Sequence, residues 1–210
     1  MDILQELEAA GAVLLDRHFV YKSRKHGSGY INMDPIFPNI QLMWEIGRAL
    51  WPGSTKIYPE VVAAPATGGI AVAYATAFSR LAVSVVWADK VGDDFAFERA
   101  GFIDQLKGKH VLVVEDLLTT GGSVTKVCRE AEKHGAQIMG VSAIVNRGGV
   151  TANQIGVPSL KSLAKVNFSA VNPEDCELCA RGVPIVEDIG HGAGYKQSHP
   201  DYKGGYIKLL

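Results

Sequence analysis

Apolar segments that are long enough for buried β-strands alternate with helix-like segments through the middle of this chain. The segment from Val111 to Val114 is apolar at every position, which is typical of a strand covered on both faces of its sheet. The expected elements, in chain order, are Val61–Ala64 (strand), Ile70–Phe78 (helix), Ala82–Trp87 (strand), His110–Glu115 (strand), Gly122–His134 (helix) and Gln137–Val145 (strand). This alternation predicts an α/β fold with a doubly wound, mainly parallel sheet.

The segments on either side of this region are less regular. Outside it we expect a helix over residues 2–10, short strands over His18–Lys22 and Tyr30–Met33, a helix over Asn39–Leu50 and a strand over Leu160–Val166. No repeat or linker divides the chain, so we expect a single domain over residues 1–210. Its parts are a small N-terminal region (1–55), an α/β core (56–150) and a C-terminal region with a strand, two cysteines and a Gly-rich tail (151–210).

The residues between Trp87 and His110 show no clear helical pattern. A long irregular segment inside a compact domain is typically an active-site lid. We therefore expect a mobile loop over residues 89–102, with a short hairpin around Phe95–Arg99 as the alternative.

The charge balance excludes some classes of protein. The 210 residues include 21 Lys and Arg against 22 Asp and Glu, so a strongly basic nucleic-acid-binding protein is excluded. Residues 61–79 carry no charge, but Pro65, Gly68 and Gly69 interrupt them, so we expect a strand, a loop and a helix rather than a membrane span. The acidic N-terminus does not resemble a signal peptide, and three cysteines suit a reducing compartment. We expect a cytoplasmic protein with no nucleic-acid or membrane partner.

One segment, Val111–Ser123, carries most of the functional information. An apolar strand ends in Glu115 and Asp116, and a hydroxyl- and glycine-rich turn precedes the next helix. The N–H groups of Thr119–Ser123 at the helix start predict a phosphate site. Ionised carboxylates accept hydrogen bonds, so the two acids suit the hydroxyls of a ribose on the same ligand. The pattern therefore predicts binding of a ribose 5-phosphate and is not that of a P-loop.

Val111–Ser123 resembles the phosphoribosyl-pyrophosphate signature of the type I phosphoribosyltransferases. Over residues 5–185 the chain is most similar to the branch that acts on orotate. The segments that carry this similarity are His18–Ser23 (the N-terminal hood), Ala64–Ile70 (the pyrophosphate loop), Ala88–Lys90 with Glu98–Phe102 (the flanks of the catalytic loop), Val145–Arg147 and Cys176–Pro184. The resemblance implies transfer of phosphoribosyl from phosphoribosyl pyrophosphate to orotate, giving orotidine 5'-monophosphate and pyrophosphate.

The resemblance also implies roles for individual residues. The catalytic residues would be Asp116, Glu115, Lys90 and Arg99. The 5-phosphate would be bound by Thr119, Thr120, Gly121, Gly122 and Ser123, and the pyrophosphate by Thr67, Gly68, Gly69 and Lys22. The base would be bound by Arg147, Tyr30 and Ile31. Mg²⁺ would be held by the substrate near Glu115 and Asp116, without a direct protein ligand. The enzyme would be a homodimer in which loop 89–102 closes on the neighbouring site.

Several positions depart from the family pattern. The hood usually reads Lys-Ser-Gly-Arg-x-Ser, whereas residues 22–27 here read Lys-Ser-Arg-Lys-His-Gly. Gly68 stands where many members carry lysine, Asn146 replaces an aspartate, and the mobile loop lacks a Lys-x-His pair. Two alternatives therefore stay open: a phosphoribosyltransferase for a purine or uracil, and a regulator that senses phosphoribosyl pyrophosphate without turnover. A helix-turn-helix extension or a basic excess would favour the regulator, and the sequence shows neither.

The cysteines raise a separate question. Cys176 and Cys179, with His191 and His199 downstream, offer four zinc ligand types. A single C-x-x-C pair is a weak zinc signal, so we expect no zinc site here. Cys128 lies in the middle of an expected helix and is assigned to the core.

Overall fold

The computed structural model describes residues 2–53, 57–78, 80 and 83–209. Their α-helices are α1 (Ile3–Ala9), α2 (Ile40–Leu50), α3 (Gly68–Phe78), α4 (Phe102–Leu106), α5 (Gly122–Lys133), α6 (Ala152–Ile155), α7 (Glu177–Ala180) and α8 (Gly192–Ser198). Their β-strands are β1 (Val13–Leu14), β2 (Phe19–Val20), β3 (His26–Gly27), β4 (Tyr30–Ile31), β5 (Val61–Pro65), β6 (Ser84–Val91), β7 (Asp94–Ala96), β8 (His110–Leu118), β9 (Gln137–Asn146), β10 (Leu160–Lys165), β11 (Ile185–Val186) and β12 (Tyr206–Ile207). Short 3₁₀ helices cover Asp34–Ile36 and Pro173–Asp175.

The chain forms two compact units. Residues 33–167 form one, called the sheet unit below, and residues 2–32 with 168–209 form the other, called the hood unit. This grouping differs from the expected boundaries at 55/56 and 150/151, because α2 packs on α3 and β10 pairs with β9 inside the sheet unit. The single-domain organisation stays a prediction.

The sheet unit contains a sheet with the strand order β10-β9-β8-β5-β6-β7. Its strands are parallel except β7, which runs antiparallel to β6. All five residues of β5 are buried, as expected for a strand covered on both faces. The prediction of a doubly wound, mainly parallel sheet is confirmed.

Helices pack closely against this sheet and against one another. Val124, Val127 and Cys128 of α5 lie in the main apolar core, which confirms the assignment of Cys128. A Cβ atom at Gly47 in α2 would overlap the backbone of Ala75 in α3, so glycine permits the close crossing of these two helices. The uncharged stretch 61–79 forms β5 and α3, as expected, and its last residue, Ser79, is outside the described residues. No described helix combines the length and apolar character needed to cross a bilayer.

The segment between Trp87 and His110 is more regular than expected. β6 continues to Val91 and forms a hairpin with β7, and the short helix α4 follows. Phe95 and Phe97 are buried in the core, so the hairpin is anchored by its apolar side chains. The expectation of an irregular segment without a helix is therefore wrong. The sequence pattern did not reveal this helix because α4 has five residues and its N-cap residue, Gly101, provides no side-chain cap.

The hood unit is built from short elements of both ends of the chain. β1 pairs with β4, β2 forms a hairpin with β3, and β11 pairs in parallel with β12. A small apolar core contains Phe19, Tyr21, Val186 and Ile189. The strands expected over 18–22 and 30–33 are present but shorter. The Gly-rich tail forms α8 and β12.

Asn146, the last residue of β9, fixes the turn that follows. Its buried side chain donates from Nδ2 to the Val150 carbonyl oxygen at 2.8 Å, and its Oδ1 accepts from the Val150 N–H at 3.0 Å. An aspartate can accept but, when ionised, cannot donate. The amide therefore explains the departure from the family's aspartate.

Asn146→Asp should lower the free energy of unfolding by about 1–3 kcal/mol, because the buried Val150 carbonyl loses its donor. Urea denaturation of the two proteins measures this difference. Asn167→Asp makes the same chemical change at an exposed residue of the sheet unit and should be nearly neutral. Equal stability of Asn146→Asp and the parent protein would contradict the role assigned to the amide.

Candidate active site

Three loops of the sheet unit follow the carboxyl ends of neighbouring parallel strands. They connect β5 to α3, β8 to α5, and β9 to the turn that begins at Arg147. In open α/β sheets, ligands bind beyond the carboxyl ends of the strands. The predicted phosphate turn, carboxylates, pyrophosphate loop and Arg147 thus lie on one edge of the sheet.

The turn Thr119–Ser123 has the geometry of an anion site. Gly121 precedes α5 with a φ of +75° and provides no side-chain cap, while the Gly122 N–H donates to Oγ1 of Thr120 at 3.3 Å. The positive end of the helix dipole and its first-turn N–H groups favour an anion at this start. A Cβ atom at Gly121 would lie 2.9 Å from Cγ1 of Val150. The turn lines a small cavity of about 40 Å³ together with Glu115. A phosphate group is the ligand that such a helix start favours.

The phosphate turn is held against the turn after β9. The N–H groups of Arg147 and Gly148 both donate to the carbonyl oxygen of Leu118, at 2.9 and 3.2 Å. A Cβ atom at Gly148 would overlap the carbonyl oxygen of Thr119, so this position requires glycine. The sequence analysis did not single out Gly148. The Gly148-Gly149 pair directly after Arg147 could have indicated a turn with a close backbone approach.

The two acids lie inside β8 rather than at its end. The strand continues to Leu118, so the expected end at Glu115 is wrong, because Leu117 and Leu118 still pair with β9. Glu115 is only 8% exposed, and Asp116 is half-buried. Burial and the neighbouring Asp116 charge raise the pKa of Glu115. Asp116 is thus the more accessible acceptor for ligand hydroxyls.

Gly68 in the predicted pyrophosphate loop contacts the carboxylate of Asp116. A Cβ atom at Gly68 would overlap Oδ2 of Asp116, so any side chain at this position would require the carboxylate to move. A Cβ atom at Gly69 would lie 3.3 Å from Oε1 of Glu115, and Thr67 is exposed beside them. The Ala66–Thr67 peptide bond is cis. The structure therefore brings the loop and the two acids together.

Arg99 and Lys90 lie on the hairpin segment, and their side chains are exposed. Arg99 forms a bidentate ion pair with Asp89, with Nε 2.9 Å from Oδ2 and Nη2 3.3 Å from Oδ1. This pair raises the pKa of the guanidinium, which also lies 5.8 Å from the Trp87 ring. Lys90 belongs to β6 and pairs with Phe95. Arg99 thus has a structural partner, and its catalytic role stays a prediction.

Arg147 is half-buried and lines a cavity of about 270 Å³ in the sheet unit. The exposed residue Lys165 lines the same cavity, because β10 runs parallel to β9 with Lys165 opposite Asn146. Sequence reasoning missed Lys165, although it stands at the end of the expected strand Leu160–Val166. Two cations thus lie at one cavity.

The other predicted residues belong to the hood unit. Lys22 is exposed and, with Arg24, lines a cavity of about 530 Å³ in this unit. Tyr30 is half-buried with its ring 5.4 Å from that of Phe19, whereas Ile31 is buried opposite Val13. Their roles in ligand binding stay predictions.

Two departures of the hood from the family pattern have structural explanations. Arg24 occupies the position of the family's glycine and keeps a left-handed backbone with a φ of +63°. A Cβ atom at Gly27 would overlap the Tyr21 hydroxyl, so a serine does not fit there. The position of the family's glycine thus has a backbone conformation that favours glycine, although its residue here is arginine.

Comparison with known proteins now identifies the class. The family model described as the phosphoribosyl transferase domain matches residues 39–155, and the chain belongs to this family. It is most like orotate phosphoribosyltransferases: it is 34% identical over 190 residues to that enzyme of Thermotoga maritima, which covers 90% of this chain and 98% of the relative. The predicted family is confirmed.

Solved structures confirm the fold. The orotate phosphoribosyltransferase of Mycobacterium tuberculosis H37Rv superposes with a TM-score of 0.63 at 20% identity, covering 79% of this chain and 97% of that one. The adenine phosphoribosyltransferase of Thermoanaerobacter pseudethanolicus superposes with a TM-score of 0.57 at 20% identity, covering 77% of this chain and 99% of that one. Since proteins named for different bases share the fold, the base must be argued from the site.

Proposed function

We propose that this protein is an orotate phosphoribosyltransferase that supplies orotidine 5'-monophosphate for pyrimidine synthesis. The observation that carries the proposal is the anion-binding turn Thr119–Ser123 beside Asp116 at the carboxyl edge of the sheet. A phosphate at the turn and ribose hydroxyls at the carboxylate match the two ends of a ribose 5-phosphate. The kinship with orotate phosphoribosyltransferases supports orotate as the acceptor.

The reaction breaks the bond between the anomeric carbon and a pyrophosphate oxygen, and the electron pair leaves with pyrophosphate. A ring nitrogen of orotate forms the new bond to that carbon, and its proton passes to the departing pyrophosphate or to water. Positive charge develops on the ribose and negative charge on the leaving group. In this proposal Asp116 orients the ribose, while the N–H groups of Thr67–Gly69 and the Lys90 ammonium stabilise pyrophosphate.

We propose Mg²⁺ as the cofactor. The oxygen atoms of Asp116 are of the ligand type that Mg²⁺ prefers. Glu115 fits a supporting role better, because it is buried and its pKa is raised. The substrate itself would hold the ion, with Asp116 in the surrounding shell. When bound, Mg²⁺ neutralises charge on the leaving pyrophosphate.

The proposed base site is the cavity that Arg147 and Lys165 line. Orotate differs from uracil by one carboxylate, so a site that selects orotate needs a cation near that group. A guanidinium matches a carboxylate with two parallel hydrogen bonds. Arg147 is half-buried, which strengthens such a pair relative to one in open water.

A homodimer is also part of the proposal, and the second copy would cover an apolar face of α2 and α3. Phe78 and Ile40 on this face are 83% and 82% exposed. The described residues that line the groove between the helices are all uncharged: Phe37, Ile40, Gln41, Met43, Trp44, Ala71, Tyr74, Ala75 and Phe78. Contiguous exposed apolar surface of this kind marks an interface. The hairpin with Lys90 would then close on the neighbouring site.

A cytoplasmic location completes the proposal. Cys128, Cys176 and Cys179 are free cysteines, which suits a reducing compartment. Orotate and phosphoribosyl pyrophosphate are both charged and do not cross membranes unaided, so an enzyme that uses both is expected where they are made.

Thr120→Glu should weaken the binding of phosphoribosyl pyrophosphate by about 100-fold or more, equivalent to roughly 3 kcal/mol. The added carboxylate would repel the 5-phosphate at the helix start. Isothermal titration calorimetry measures the affinity, and Thr120→Val, which removes the hydroxyl without adding charge, should stay within about tenfold of the parent. Equal affinities of the Glu and Val variants would contradict the assignment of this turn.

Arg147→Ala should lower kcat/KM for orotate by roughly 10- to 100-fold, because a charge-assisted hydrogen bond contributes about 1.5–3 kcal/mol. The affinity for phosphoribosyl pyrophosphate should be almost unchanged. Arg147→Lys should recover part of the activity, since a point charge lacks the planar fork. Arg129→Ala removes an exposed arginine of α5 and serves as the control.

Steady-state kinetics with a panel of bases separates the remaining alternatives. Full orotate activity in Arg147→Ala, or a preference of the parent protein for a purine or uracil, would overturn the orotate assignment and leave phosphoribosyl transfer in place. Binding of phosphoribosyl pyrophosphate without turnover of any base would favour the regulator.

Phe78→Lys should convert the dimer into a monomer, because it places a charge in the apolar face. Analytical ultracentrifugation measures the mass, and Ile103→Lys, at an exposed apolar residue of α4, is the control that should remain dimeric. If the hairpin acts on the neighbouring site, the monomer should also lose most of its turnover while circular dichroism shows an intact fold. A monomeric parent protein, or a Phe78→Lys variant that stays dimeric, would refute the proposed dimer interface. A fully active monomeric variant would refute closure of the hairpin on the neighbouring site.

A further inference from the structure

Four potential metal ligands converge inside the hood unit: His18, His26, Cys176 and Cys179. One ligand atom from each side chain lies within 4.8 Å of those of the other three. His18 Nε2 is 2.9 Å from His26 Nδ1, and Cys179 Sγ is 3.2 Å from the same Nδ1. Cys176 Sγ and Cys179 Sγ lie 3.6 and 3.8 Å from His18 Nε2.

These distances match the edges of a tetrahedron around one ion. With Zn–S bonds of about 2.3 Å and Zn–N bonds of about 2.0–2.1 Å, tetrahedral ligands lie about 3.4 Å (N to N), 3.6 Å (N to S) and 3.8 Å (S to S) apart. The four distances given above lie within about half an ångström of this spacing, and the remaining two are no longer than 4.8 Å. Cys₂His₂ is a common ligand set of structural zinc sites.

The orientation of His18 fits this role. Its Nδ1 lies 2.9 Å from the carbonyl oxygen of Val183, so Nδ1–H donates there and the lone pair of Nε2 faces the cluster. The Tyr202 hydroxyl donates to the same carbonyl oxygen at 2.8 Å. Metal-binding histidines typically use their second nitrogen in this way, which fixes the tautomer and the ring orientation.

Burial and charge also favour a closed site. His18 and His26 are fully buried, Cys176 is 4% exposed and Cys179 is half-buried. Two thiolates and two neutral imidazoles around Zn²⁺ carry no net charge, so the ion can be buried without a further counter-ion. All four coordination positions come from the protein, which distinguishes a structural site from a catalytic site with an open position.

The ligands join distant parts of the chain. His18 and His26 flank the β2–β3 hairpin, whereas Cys176 immediately precedes α7 and Cys179 lies within it. The apolar core of this unit is small, and metal binding contributes directly to the stability of such small units. We propose that His18, His26, Cys176 and Cys179 bind one structural Zn²⁺ that links the two ends of the chain.

This proposal changes the histidines expected from the sequence. His191 and His199 line the cavity with Lys22 and are not members of the cluster. The sequence analysis named the C-x-x-C pair as potential ligands but expected no zinc site there, and the proposal departs from that expectation. Its partners precede it by more than a hundred residues, so spacing along the chain gave no signal for them.

Elemental analysis of the purified full-length chain, expressed without a polyhistidine tag, is the first test. We expect one zinc per chain. Cys179→Ser and His26→Gln should reduce the zinc content to background, whereas Cys128→Ala and His199→Gln, which change a cysteine and a histidine outside the cluster, should retain one zinc per chain. Retention of zinc by Cys179→Ser, or its absence from the parent protein after incubation with ZnCl₂, would overturn the proposal.

A second test uses the parent protein and so does not depend on the folding of a variant. Replacement of zinc by Co²⁺ should give the intense visible absorption of a tetrahedral site together with thiolate-to-cobalt charge transfer. Removal of the metal by a chelator should lower Tm, and ZnCl₂ should restore it. A weak octahedral cobalt spectrum, or a Tm that does not change when the chelator is added, would overturn the proposal.

Discussion

The convergence of two backbone N–H groups on the Leu118 carbonyl oxygen organises the candidate active site. These bonds, from Arg147 and Gly148, join the turn after β8 to the turn after β9. Gly148 permits the close approach, and Asn146 fixes the other end of its turn through Val150. The same contacts hold the phosphate turn and Arg147 in place. The backbone therefore sets the distance between the proposed 5-phosphate site and the proposed base site.

Much of the fold and the centre of the site could be predicted because they depend on residues that are close together in the sequence. A fully apolar strand, two acids, a Gly-rich turn and a helix follow one another in Val111–Ser123. Features that depend on pairing between elements could not be predicted. Arg99 meets Asp89 only across a hairpin, and Lys165 reaches the cavity of Arg147 only because β10 lies beside β9. The short helix α4 lacks the capping residue that marks a helix start.

The departures from the family pattern are compatible with the same architecture. Arg24 has a left-handed backbone, which favours glycine, and Gly68 leaves room for the Asp116 carboxylate. Asn146 both donates and accepts hydrogen bonds, whereas an ionised aspartate could only accept them. The identity of single family residues is therefore a weaker guide to function here than the conformation at their positions.

The composition of the hood unit from both ends of the chain has a consequence for biosynthesis. Residues 33–167 are contiguous, so a chain emerging from the ribosome has the whole sheet unit available before the hood is complete. His18 and His26 are made early, yet the two cysteines of the cluster follow only after a further 150 residues or so. Assembly of the hood therefore needs residues from both sides of the sheet unit, and a chain that stopped after residue 167 would carry a sheet with an unfinished hood.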